Sequence, residues 1–538
     1  MLDLETFLSA VIEDSEMEPN AKLQEGYWSD HWTYLLDLLE SELSIFPDRE
    51  KELLFGEPKY RWFASQATVR PQIERYCTTG NGLRQYNCIT KTASDHKWMC
   101  TQDGITARSN LFEKLLLLCA IKSATLDISG AAIEMEGGKP GWYDAMNGLP
   151  GLLGASVADG CELLRILDYL LGRLALFSKQ IEVYQEIFEL LRDVSNLAIS
   201  DRSPHSKWIA RNELRDKYRA QTKNGFSVAR VKVPADAIFD MLNRLSGALR
   251  KSIDNVTAEN DGICPTYFYY QVEPNANILE EEPIRVSLPL FLEGPTRWLR
   301  TEQAPNKKQK MAAAISQSAL KDAKLKMYKL NASLADLPYE VGRARAFPAG
   351  WLENESIWLH MEYKYLLALL ECEMYDQFFV DFHNAAIPFL SPEMYKRSTL
   401  ENSSFLLSSA NQDVQSHGSG YVSRLSGSTA EFISIWNHML FGKMPFEYDD
   451  FGLHLRFQPA IPHYLIGEER TITGTFLGKV TVVYHLNGLT ELKPGGYKIK
   501  SYLVDQHKHI LGDTVPKEYA ARIRGGQVNR IDVFFERV

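Results

Sequence analysis

One aspartate stands directly after two large aromatic residues in the segment KPGWYDAMNGLPG, residues 139–151. Glycines and prolines punctuate this segment, and neither a regular helix nor a strand favours such a run, so we expect an ordered loop. Trp142 and Tyr143 are expected to desolvate the carboxyl group of Asp144, which favours the neutral form that donates a proton. Asp144 is therefore the candidate catalytic residue. A loop aspartate also commonly caps a helix or turn, and that alternative stays open.

A second candidate is the hydroxyl-rich segment HGSGYVSRLSGSTAEF, residues 417–432. Ser428 and Thr429 precede a predicted helix, and free backbone N–H groups at the positive end of a helix dipole bind phosphate. His417 and Arg424 lie in the same segment and add candidate cationic donors. The segment predicts a phosphate site, with an ordinary Ser/Thr cap and glycine turn as the alternative.

Several other connections pair an aromatic ring with planar polar groups, a combination that stacks on sugar rings and binds sugar hydroxyls. The candidate substrate-binding residues are Trp28, Asp30, Trp142, Asn147, Glu353, Asn354 and Glu401. Asp30, Glu353 and Asn354 come shortly before predicted helices, so capping or a favourable interaction with the helix dipole is the alternative for these three. Glu134 and Glu136 alternate like one face of a strand and are expected to face solvent.

The elements that must position these residues change character along the chain. From about residue 28 to 442 apolar residues recur at helical spacing, which predicts a many-helix domain whose long connections carry the binding residues. After about residue 445, short runs rich in β-branched and aromatic residues predict a small antiparallel β domain. The predicted organisation is a lead-in over residues 1–24, a helical domain over residues 25–444 and a β domain over residues 445–538.

Composition limits the class of protein. The chain has 538 residues, is 45% hydrophobic and carries a formal net charge of -10, so it is globular and does not have the charge of a general nucleic-acid binder. No apolar run approaches the roughly 18 residues of a membrane span, and no basic signal start is present, so a cytoplasmic protein without membrane contact is predicted. Seven scattered cysteines predict reduced thiols, and neither a metal nor an organic cofactor is expected. The Lys-rich segment 301–311 is predicted to be a solvated linker.

Taken together, three motifs resemble the family-94 inverting β-glucoside phosphorylases, which include the cellobiose and chitobiose phosphorylases. The 1,2-β-oligoglucan phosphorylase-like branch is the most similar. GWYDAMN at residues 141–147 is similar to the acid-bearing D-W-N-D loop of the family, with Asp144 at its last aspartate. SGSTA at residues 426–430 is similar to the T-G-T-A phosphate loop, and LHLRFQPAIPHYL at residues 453–465 to the entry into the C-terminal β domain. The match covers most of residues 25–490.

The resemblance implies an (α/α)6 barrel, like that of the six-hairpin glycosidases, followed by the β domain. It also implies a glycosyltransferase-type glycoside phosphorylase that converts β-glucosides, above all β-1,2-linked glucooligosaccharides, to α-glucose 1-phosphate with inversion. Asp144 would be the general acid, Asp30 would hold hydroxyls of the sugar before the cleaved bond, and phosphate would lie around Ser428 and Thr429. An inverting hydrolase needs a second carboxylate to activate water, whereas phosphate is already a nucleophile and serves as the co-substrate.

The chain departs from the family pattern in several places. Gly141 stands where the family has the first aspartate of the acid loop, and Ser29 where it has an arginine beside the sugar-binding aspartate. Asn354 stands where the family has a histidine near phosphate, so one donor to phosphate is replaced. His417 or Arg424 is the alternative source of positive charge. The large N-terminal β-sandwich of the family has no counterpart in this sequence, so we expect a fragment or a partner chain that supplies this domain. A homodimer is the other expected assembly.

Two alternatives to a phosphorylase stay open at this point. One is an inverting hydrolase or transglycosylase on the same scaffold, in which Glu353, Glu355 or Glu401 activates water. The other is a sugar-binding remnant without catalytic activity. The linkage and length of the sugar substrate are not determined by the sequence.

Overall fold

The structure is a computed structural model. It describes residues 30–65, 67–91, 98–174, 180–274, 276–301, 303–423 and 427–538, with Thr6, Ser9, Ala10 and Glu13 before them. Trp28 and Arg424, two of the candidate site residues, lie outside the described residues, as do Ser29 and Ser426. The described chain has 14 helices, 43% helical content and small antiparallel sheets, in agreement with the predicted mainly-α fold with a β part.

The α-helices of the described chain extend from residue 35 to residue 524. They are α1 Leu35–Ile45, α2 Glu50–Phe55, α3 Leu111–Ser123, α4 Val157–Leu174, α5 Gln185–Ala198, α6 Pro204–Thr222, α7 Ala235–Glu259, α8 Glu293–Leu299, α9 Pro305–Gln317, α10 Leu359–Glu371, α11 Tyr375–Ala385, α12 Pro392–Tyr395, α13 Gly427–Phe441 and α14 Lys517–Arg524. Short 3-10 turns include His31–Tyr34 before α1 and Asp144–Met146 in the predicted acid loop.

The strands before residue 445 are mostly two to five residues long. They are β1 Tyr60–Arg61, β2 Ala67–Val69, β3 Tyr76–Thr79, β4 Gly82–Gln85, β5 Ile89–Lys91, β6 Arg108–Ser109, β7 Ile133–Glu134, β8 Ala155–Ser156, β9 Gln180–Tyr184, β10 Arg230–Pro234, β11 Tyr267–Gln271, β12 Ile284–Ser287, β13 Lys321–Asp322, β14 Met327–Tyr328, β15 Ile357–Trp358, β16 Ser403–Leu406 and β17 Gly420–Ser423. Two of their antiparallel sheets are β12-β11-β8-β7 and β15-β16-β17. β8 ends directly before α4 and β15 ends directly before α10, so these sheets position the first turns of the two helices.

The helices pack through apolar stripes around one large hydrophobic cluster. α4 packs on α7 and α8, and α10 packs on α11 and α13. In α4 the fully buried residues Leu163, Leu167 and Leu170 follow the three- and four-residue spacing of one helix face. The first turn of α3 is closed by Asn110, whose side chain accepts a hydrogen bond from the Glu113 N–H. Hydrophobic packing therefore holds these helices together where the sequence predicts it.

The last strands form a two-stranded sheet and a five-stranded sheet, and residues of both lie in one hydrophobic cluster. These strands are β18 Phe446–Asp449, β19 Gly452–Leu455, β20 Thr471–Phe476, β21 Val480–His485, β22 Tyr497–Val504, β23 Lys508–Leu511 and β24 Arg530–Arg537. The two-stranded sheet is β18-β19. The five-stranded sheet has the order β20-β21-β24-β22-β23, and β21 pairs with β24 in parallel while the other pairs are antiparallel. The parallel pair differs from the predicted antiparallel sheet, because α14 separates β23 from β24 and carries the chain across the sheet.

Two expectations about local structure are wrong. Segment 301–311, predicted to be a solvated linker, contributes to α9, which begins at Pro305 and buries Met311. Glu136, expected to face solvent, is buried and lies 3.0 Å from Arg215 Nε and 3.3 Å from Arg75 Nη1. Ion pairs of this kind compensate the cost of burying a carboxylate, and alternation in the sequence does not reveal them.

Two further expectations concern the oxidation state of the cysteines and membrane-spanning helices. All seven cysteines are free thiols. Among the described residues, no helix has the length and apolar character that crossing a membrane requires.

Candidate functional site

Charged and aromatic side chains from α4, α8, α10 and α13 meet the predicted acid loop at one place. We call this set the central cluster: Asp30, Tyr34, Trp142, Asp159, Glu293, Arg297, His360, Lys364 and Glu431. Only Asp30 and Trp142 belong to the residues that the sequence singled out. Glu293 and Arg297 come from α8, for which the sequence predicted no helix, and the other five lie in or shortly before predicted helices.

The acid loop and the hydroxyl-rich segment both contact one histidine. The Trp142 ring packs edge-on against the His360 ring, with 5.3 Å between the ring centroids. Gly427, at the start of the described helix α13, lies so close to His360 that a Cβ atom there would overlap the imidazole ring. The structure therefore brings the two predicted segments to within one side chain of each other.

His360 and Glu431 form a partly buried pair close to Gly427. His360 Nε2 lies 3.5 Å from Glu431 Oε1. Burial lowers the pKa of His360 below its ordinary value, although Glu431 acts in the opposite direction. Burial also opposes the charge of Glu431, but the hydrogen bond to His360 and the charge of Lys364 outweigh it and lower the pKa of Glu431. Near neutral pH the pair therefore consists of a neutral imidazole and a carboxylate.

Lys364 supplies a cation next to this pair. It follows His360 by one helical turn in α10, so both side chains lie on the same face of the helix. Its Nζ lies 3.1 Å from the Tyr34 hydroxyl, 4.0 Å from Glu431 Oε1 and 5.7 Å from the centre of the Trp142 ring. The cation therefore links α10 and α13 with the acid loop.

Two buried aspartates in the cluster have an oxygen without a hydrogen-bond partner. Asp159 is 5% exposed and Asp30 is 9% exposed, and the Oδ1 atom of each accepts no hydrogen bond from the described residues. Burial raises the pKa of Asp159 to about 7, against the opposing charge of Arg297. Asp30 makes no side-chain capping bond to the turn that follows it, so the capping alternative is not seen.

Arg297 is held rigidly between two glutamates. Its Nε donates to Glu293 Oε1 at 2.9 Å, and its Nη1 lies 3.1 Å from Glu162 Oε1. Glu293 in turn accepts a hydrogen bond from the Tyr267 hydroxyl at 2.8 Å. Arg297 Nη2 is buried and has no partner among the described residues, so one donor of a fixed guanidinium stays available.

Asp144 lies in the loop as predicted, but its surroundings differ from the expectation. Its Oδ1 lies 3.0 Å from Arg343 Nη2, and its side chain is 46% exposed. Tyr143 is 2% exposed and packs instead against Tyr267 and Phe291. The expectation that both aromatic neighbours remove water from Asp144 is therefore wrong. Its role as the acid stays a prediction.

Residues 340–343 hold the acid loop in place. The Asn147 side-chain oxygen accepts a hydrogen bond from the Arg343 N–H at 3.0 Å, and the Gly148 N–H donates to the Val341 carbonyl at 3.2 Å. Arg84 anchors the same segment through two bonds to Glu340, at 3.1 and 2.9 Å. Asn147, predicted to bind sugar, thus has a structural bond that positions the loop.

The other predicted sugar-binding residues take part in local bonds. Asn354 is buried and donates to the Phe347 carbonyl at 2.6 Å. Glu401 lies 3.2 Å from Arg397, and the Glu353 carbonyl accepts a bond from an asparagine side chain at 3.2 Å. Glu353 and Asn354 do not start a helix, because β15 lies between them and α10. The sugar-binding roles of all three residues stay predictions.

The predicted phosphate ligands occupy different environments. Ser428 is fully buried and Thr429 is partly exposed, both in the first described turn of α13. His417 has both ring nitrogens engaged, Nε2 with the Asn411 carbonyl at 2.8 Å and Nδ1 with Lys324 Nζ at 2.7 Å. The histidine that lies against Gly427, at the start of described α13, is His360.

Sequence reasoning missed Asp159, Arg297, His360, Lys364 and Glu431. All five lie in or beside apolar helical segments, where periodicity assigns residues to core or surface and does not identify a polar site. One feature of the sequence could have drawn attention to Asp159. It stands in the largely apolar run GASVADGCELL, where a charged residue that becomes buried is expected to have a partner. Among the described residues, no group of three metal-binding side chains is assembled.

Two comparisons with known proteins were without a match for this chain. No protein-family model matches it, and no curated protein matches it. The resemblance to the family-94 phosphorylases therefore depends on the short motifs at residues 141–147, 426–430 and 453–465. Further support for a function comes from the central cluster.

Proposed function

We propose that this chain is a carbohydrate-active enzyme with an (α/α)6 barrel. It cleaves β-glucosides, with β-1,2-linked glucooligosaccharides as substrates, by inverting phosphorolysis to α-glucose 1-phosphate. The observation that carries the proposal is the packing of both Trp142 and Gly427 against His360. Transfer of a glycosyl group from an oxygen to phosphate needs a sugar site and an anion site within one ring of each other, and this contact supplies that proximity.

The sugar would be held by the buried, unpartnered atoms of the central cluster. Asp30 and Asp159 each offer a carboxyl oxygen, and Arg297 offers a donor. Buried polar atoms without partners are costly, and the hydroxyl groups of a pyranose supply both donors and acceptors. Trp142 adds an apolar ring at the edge of the same site. This combination suits a neutral polyhydroxylated ligand.

Asp159 also accounts for one departure from the family pattern. The resemblance places an aspartate at residue 141, where this chain has Gly141. A Cβ atom on Gly141 would lie 3.6 Å from Asp159 Oδ2. The carboxylate of Asp159 therefore occupies the space into which a side chain at residue 141 would extend, and we infer that it supplies the missing carboxylate from α4.

A similar replacement serves the anion site. The resemblance places a histidine at residue 354, and this chain has Asn354 there. Lys364 of α10 lies 4.0 Å from Glu431 in α13, so an ammonium group is provided near the start of α13. Lys364, Thr429 and the backbone N–H groups of the first turn of α13 would form a donor set for phosphate, while the single N–H of neutral His360 faces Glu431.

In the proposed reaction, Asp144 donates its proton to the oxygen of the leaving sugar. The bond between the anomeric carbon and this oxygen breaks while a phosphate oxygen bonds to the same carbon from the opposite face. The leaving sugar departs with a new hydroxyl group, and the glucosyl group departs as the α-1-phosphate. Before this step Asp144 must leave its ion pair with Arg343 and take up a proton from solvent, because a carboxylate paired with arginine has no proton to donate.

The alternative hydrolase needs a free carboxylate to activate water, and the structure favours it less. Glu355 is bound to Lys329 at 2.9 Å, and Glu401 lies 3.2 Å from Arg397. Two of the three predicted bases are thus engaged in ion pairs. Phosphorolysis does not require such a base.

Incubation with β-1,2-glucooligosaccharides, with and without inorganic phosphate, tests the proposal. We expect α-glucose 1-phosphate to form only when phosphate is present. Free glucose formed equally without phosphate would indicate the hydrolase, and sugar binding without turnover would indicate a non-catalytic remnant. Asp144→Asn should lower phosphorolysis by roughly 10²–10⁴-fold, because protonation of the leaving oxygen is lost. Near-normal rates in this variant would refute the assignment of the acid.

A further inference from the structure

A cavity of about 630 Å³ lies away from the central cluster, between α5, α6 and α7 and the loop that follows α3. α7 contacts α4 through Ser246 and Arg250, which both bond to Asp168. Arg244 and Lys251 of the same helix line the cavity instead. The cavity shares no residue with the central cluster. Its volume lies within the range of roughly 300–1,000 Å³ that holds small-molecule ligands.

The charge of the cavity is one-sided. Its lining contains five cationic residues, Arg202, Lys207, Arg211, Arg244 and Lys251. Among the described residues that line it, none is an aspartate or a glutamate. This positive lining occurs in a chain with a formal net charge of -10, so it is a local feature and not a reflection of overall composition.

The hydrogen bonds of these cations go to neutral acceptors. Lys207 Nζ donates to the Ala198 carbonyl at 3.0 Å, Arg211 Nε to the Leu126 carbonyl at 3.1 Å, and Arg244 Nη1 to a side-chain amide oxygen at 2.9 Å. Within the described part of the chain, none of the five forms an ion pair with a carboxylate. Arg202 and Lys251 make neither a side-chain hydrogen bond nor an ion pair with the described residues.

Other arginines of this protein behave differently. Arg165, Arg297 and Arg300 each pair with two or more carboxylates. The chain is thus rich in compensated guanidinium groups, and the cavity is an exception. Surface cations without partners are ordinary when they are dispersed in solvent, but five that share one concave wall repel one another and favour an anion between them.

The electrostatics of Lys207 support this repulsion. Burial lowers the pKa of Lys207, and the nearby charges of Arg211 and Lys251 lower it further, while Asp201 opposes the change. Asp127 and Glu134 favour the charged form of Arg211, but neither residue lines the cavity. The described wall of the cavity therefore carries only positive side-chain charges.

We propose that this cavity is a second ligand site, separate from the central cluster, for a small molecule that bears one or more phosphate groups. A compact anion of high charge is matched by several Arg and Lys donors, whereas a single carboxylate engages fewer of them. Ile128, Leu197 and Leu245 give the cavity an apolar wall that suits a sugar or nucleoside ring beside the phosphate.

Isothermal titration calorimetry with three probes tests the site: inorganic phosphate, glucose 1-phosphate and ATP. ATP is the decisive probe, because the proposed phosphorolysis does not use it. We expect saturable binding of ATP with a Kd below about 1 mM and a strong decrease in affinity when NaCl is raised. The probe that binds most tightly distinguishes a nucleotide site from a sugar-phosphate or free-phosphate site.

A charge-reversed pair of variants locates the binding. Arg202→Glu combined with Lys251→Glu should weaken ATP binding by at least about 10-fold, because two donors become repulsive carboxylates. Lys217→Glu combined with Lys232→Glu is the matched control, since both residues are exposed, lie outside the cavity and give the same change in charge. Circular dichroism verifies that both variants are folded.

Three outcomes would overturn the proposal: no saturable binding of any probe, equal loss of affinity in the control pair, or binding only to a polyanion such as RNA. None of these readouts requires turnover. Failure of this test would therefore leave the proposed phosphorolysis untouched, and an inactive enzyme that still binds ATP in this cavity would support the second site alone.

Discussion

Two buried carboxyl groups of this protein show how neighbouring charges determine the protonation state of a single residue. Asp159 and Glu136 are both buried. Burial dominates at Asp159 and raises its pKa to about 7. Burial also opposes the charge of Glu136, but Arg215 and Arg219 outweigh it and lower the pKa of Glu136. The first group is suited to exchange a proton or a hydrogen bond with a ligand, and the second is a permanent structural anion.

Asp159→Asn is expected to change the pH dependence of stability. In the folded wild type, Asp159 keeps its proton up to about pH 7. In the unfolded state it releases the proton near the ordinary aspartate pKa of 3.8. The free energy of unfolding of the wild type therefore falls as pH rises between these two values. The asparagine variant lacks this loss. As pH rises from 4.5 to 8, its free energy of unfolding should increase relative to that of the wild type by on the order of 1–4 kcal/mol, as measured by urea unfolding.

Glu136→Gln provides a control of opposite sign. Its folded-state pKa is lowered, so its carboxylate contributes stability above the unfolded pKa, and that contribution is lost as pH falls. The glutamine variant should therefore become less stable relative to the wild type as pH rises. A stability difference between Asp159→Asn and the wild type that does not vary with pH would show that Asp159 is not a buried, protonatable group.

A compensating pair of substitutions tests whether Asp159 replaces the carboxylate absent at residue 141. Asp159→Leu should weaken binding of a β-1,2-glucooligosaccharide by about 10–100-fold, because the hydroxyl partner is lost. Adding Gly141→Asp should restore part of that affinity, since the new side chain extends toward the same space. Calorimetric titration measures both. No recovery, with both variants folded, would contradict the replacement.

At the scale of elements, the start of α13 is shaped by its contact with α10. Gly427 accepts the His360 ring where any side chain would collide with it. The contact joins the phosphate segment to the acid loop through Trp142. A glycine at this position therefore serves close packing between two helices.

Gly427→Ala is expected to destabilise the protein by about 1–3 kcal/mol and to impair phosphate use, because the methyl group displaces His360. Gly172→Ala in α4 is the matched control. An added Cβ there meets no atom within 4 Å, so the same substitution should be neutral or stabilising by about 0.5–1 kcal/mol. Chemical unfolding and phosphate dependence of the rate check both variants. Equal changes in the free energy of unfolding of the two variants would show that the contact of Gly427 with His360 does not contribute to stability.

The sequence predicted elements better than it predicted contacts. Helical spacing identified α4, α7 and α10, and the strands after residue 445 followed the predicted β runs, because both patterns are local. The meeting of Gly141 with Asp159, and of Gly427 with His360, depends on helix packing between distant segments. Periodicity contains no information about such pairs, so the acid loop was predicted and its partners in the central cluster were not.

At the scale of the whole molecule, the described residues form two large hydrophobic clusters that share a boundary. One extends through the helices, and the other lies under the sheet from β20 to β24. Leu465 packs against both, and α13 buries Ile435 and Met439 in the first and Phe441 in the second. Arg524 of α14 also lies 2.5 Å from Asp48, which follows α1. These contacts couple the helical part to the C-terminal sheet.

We therefore expect one cooperative thermal transition for the whole chain. Ile531→Ala, in the C-terminal cluster, removes fully buried methyl groups and should cost about 2–5 kcal/mol. Because the clusters are coupled, this variant should also lower the midpoint of the helical circular dichroism signal. Two resolved calorimetric transitions, with the helical signal unchanged in the variant, would show that the two parts unfold independently.

The bonds between the acid loop and residues 340–343 have a consequence for synthesis. Arg84 and Asn147 find their partners 256 and 196 residues further along the chain. A nascent polypeptide that has left the ribosome only as far as α9 lacks these partners of the loop around Asp144. The aspartate that we propose as the acid can therefore take its final position only late in translation, after most of the helices have emerged.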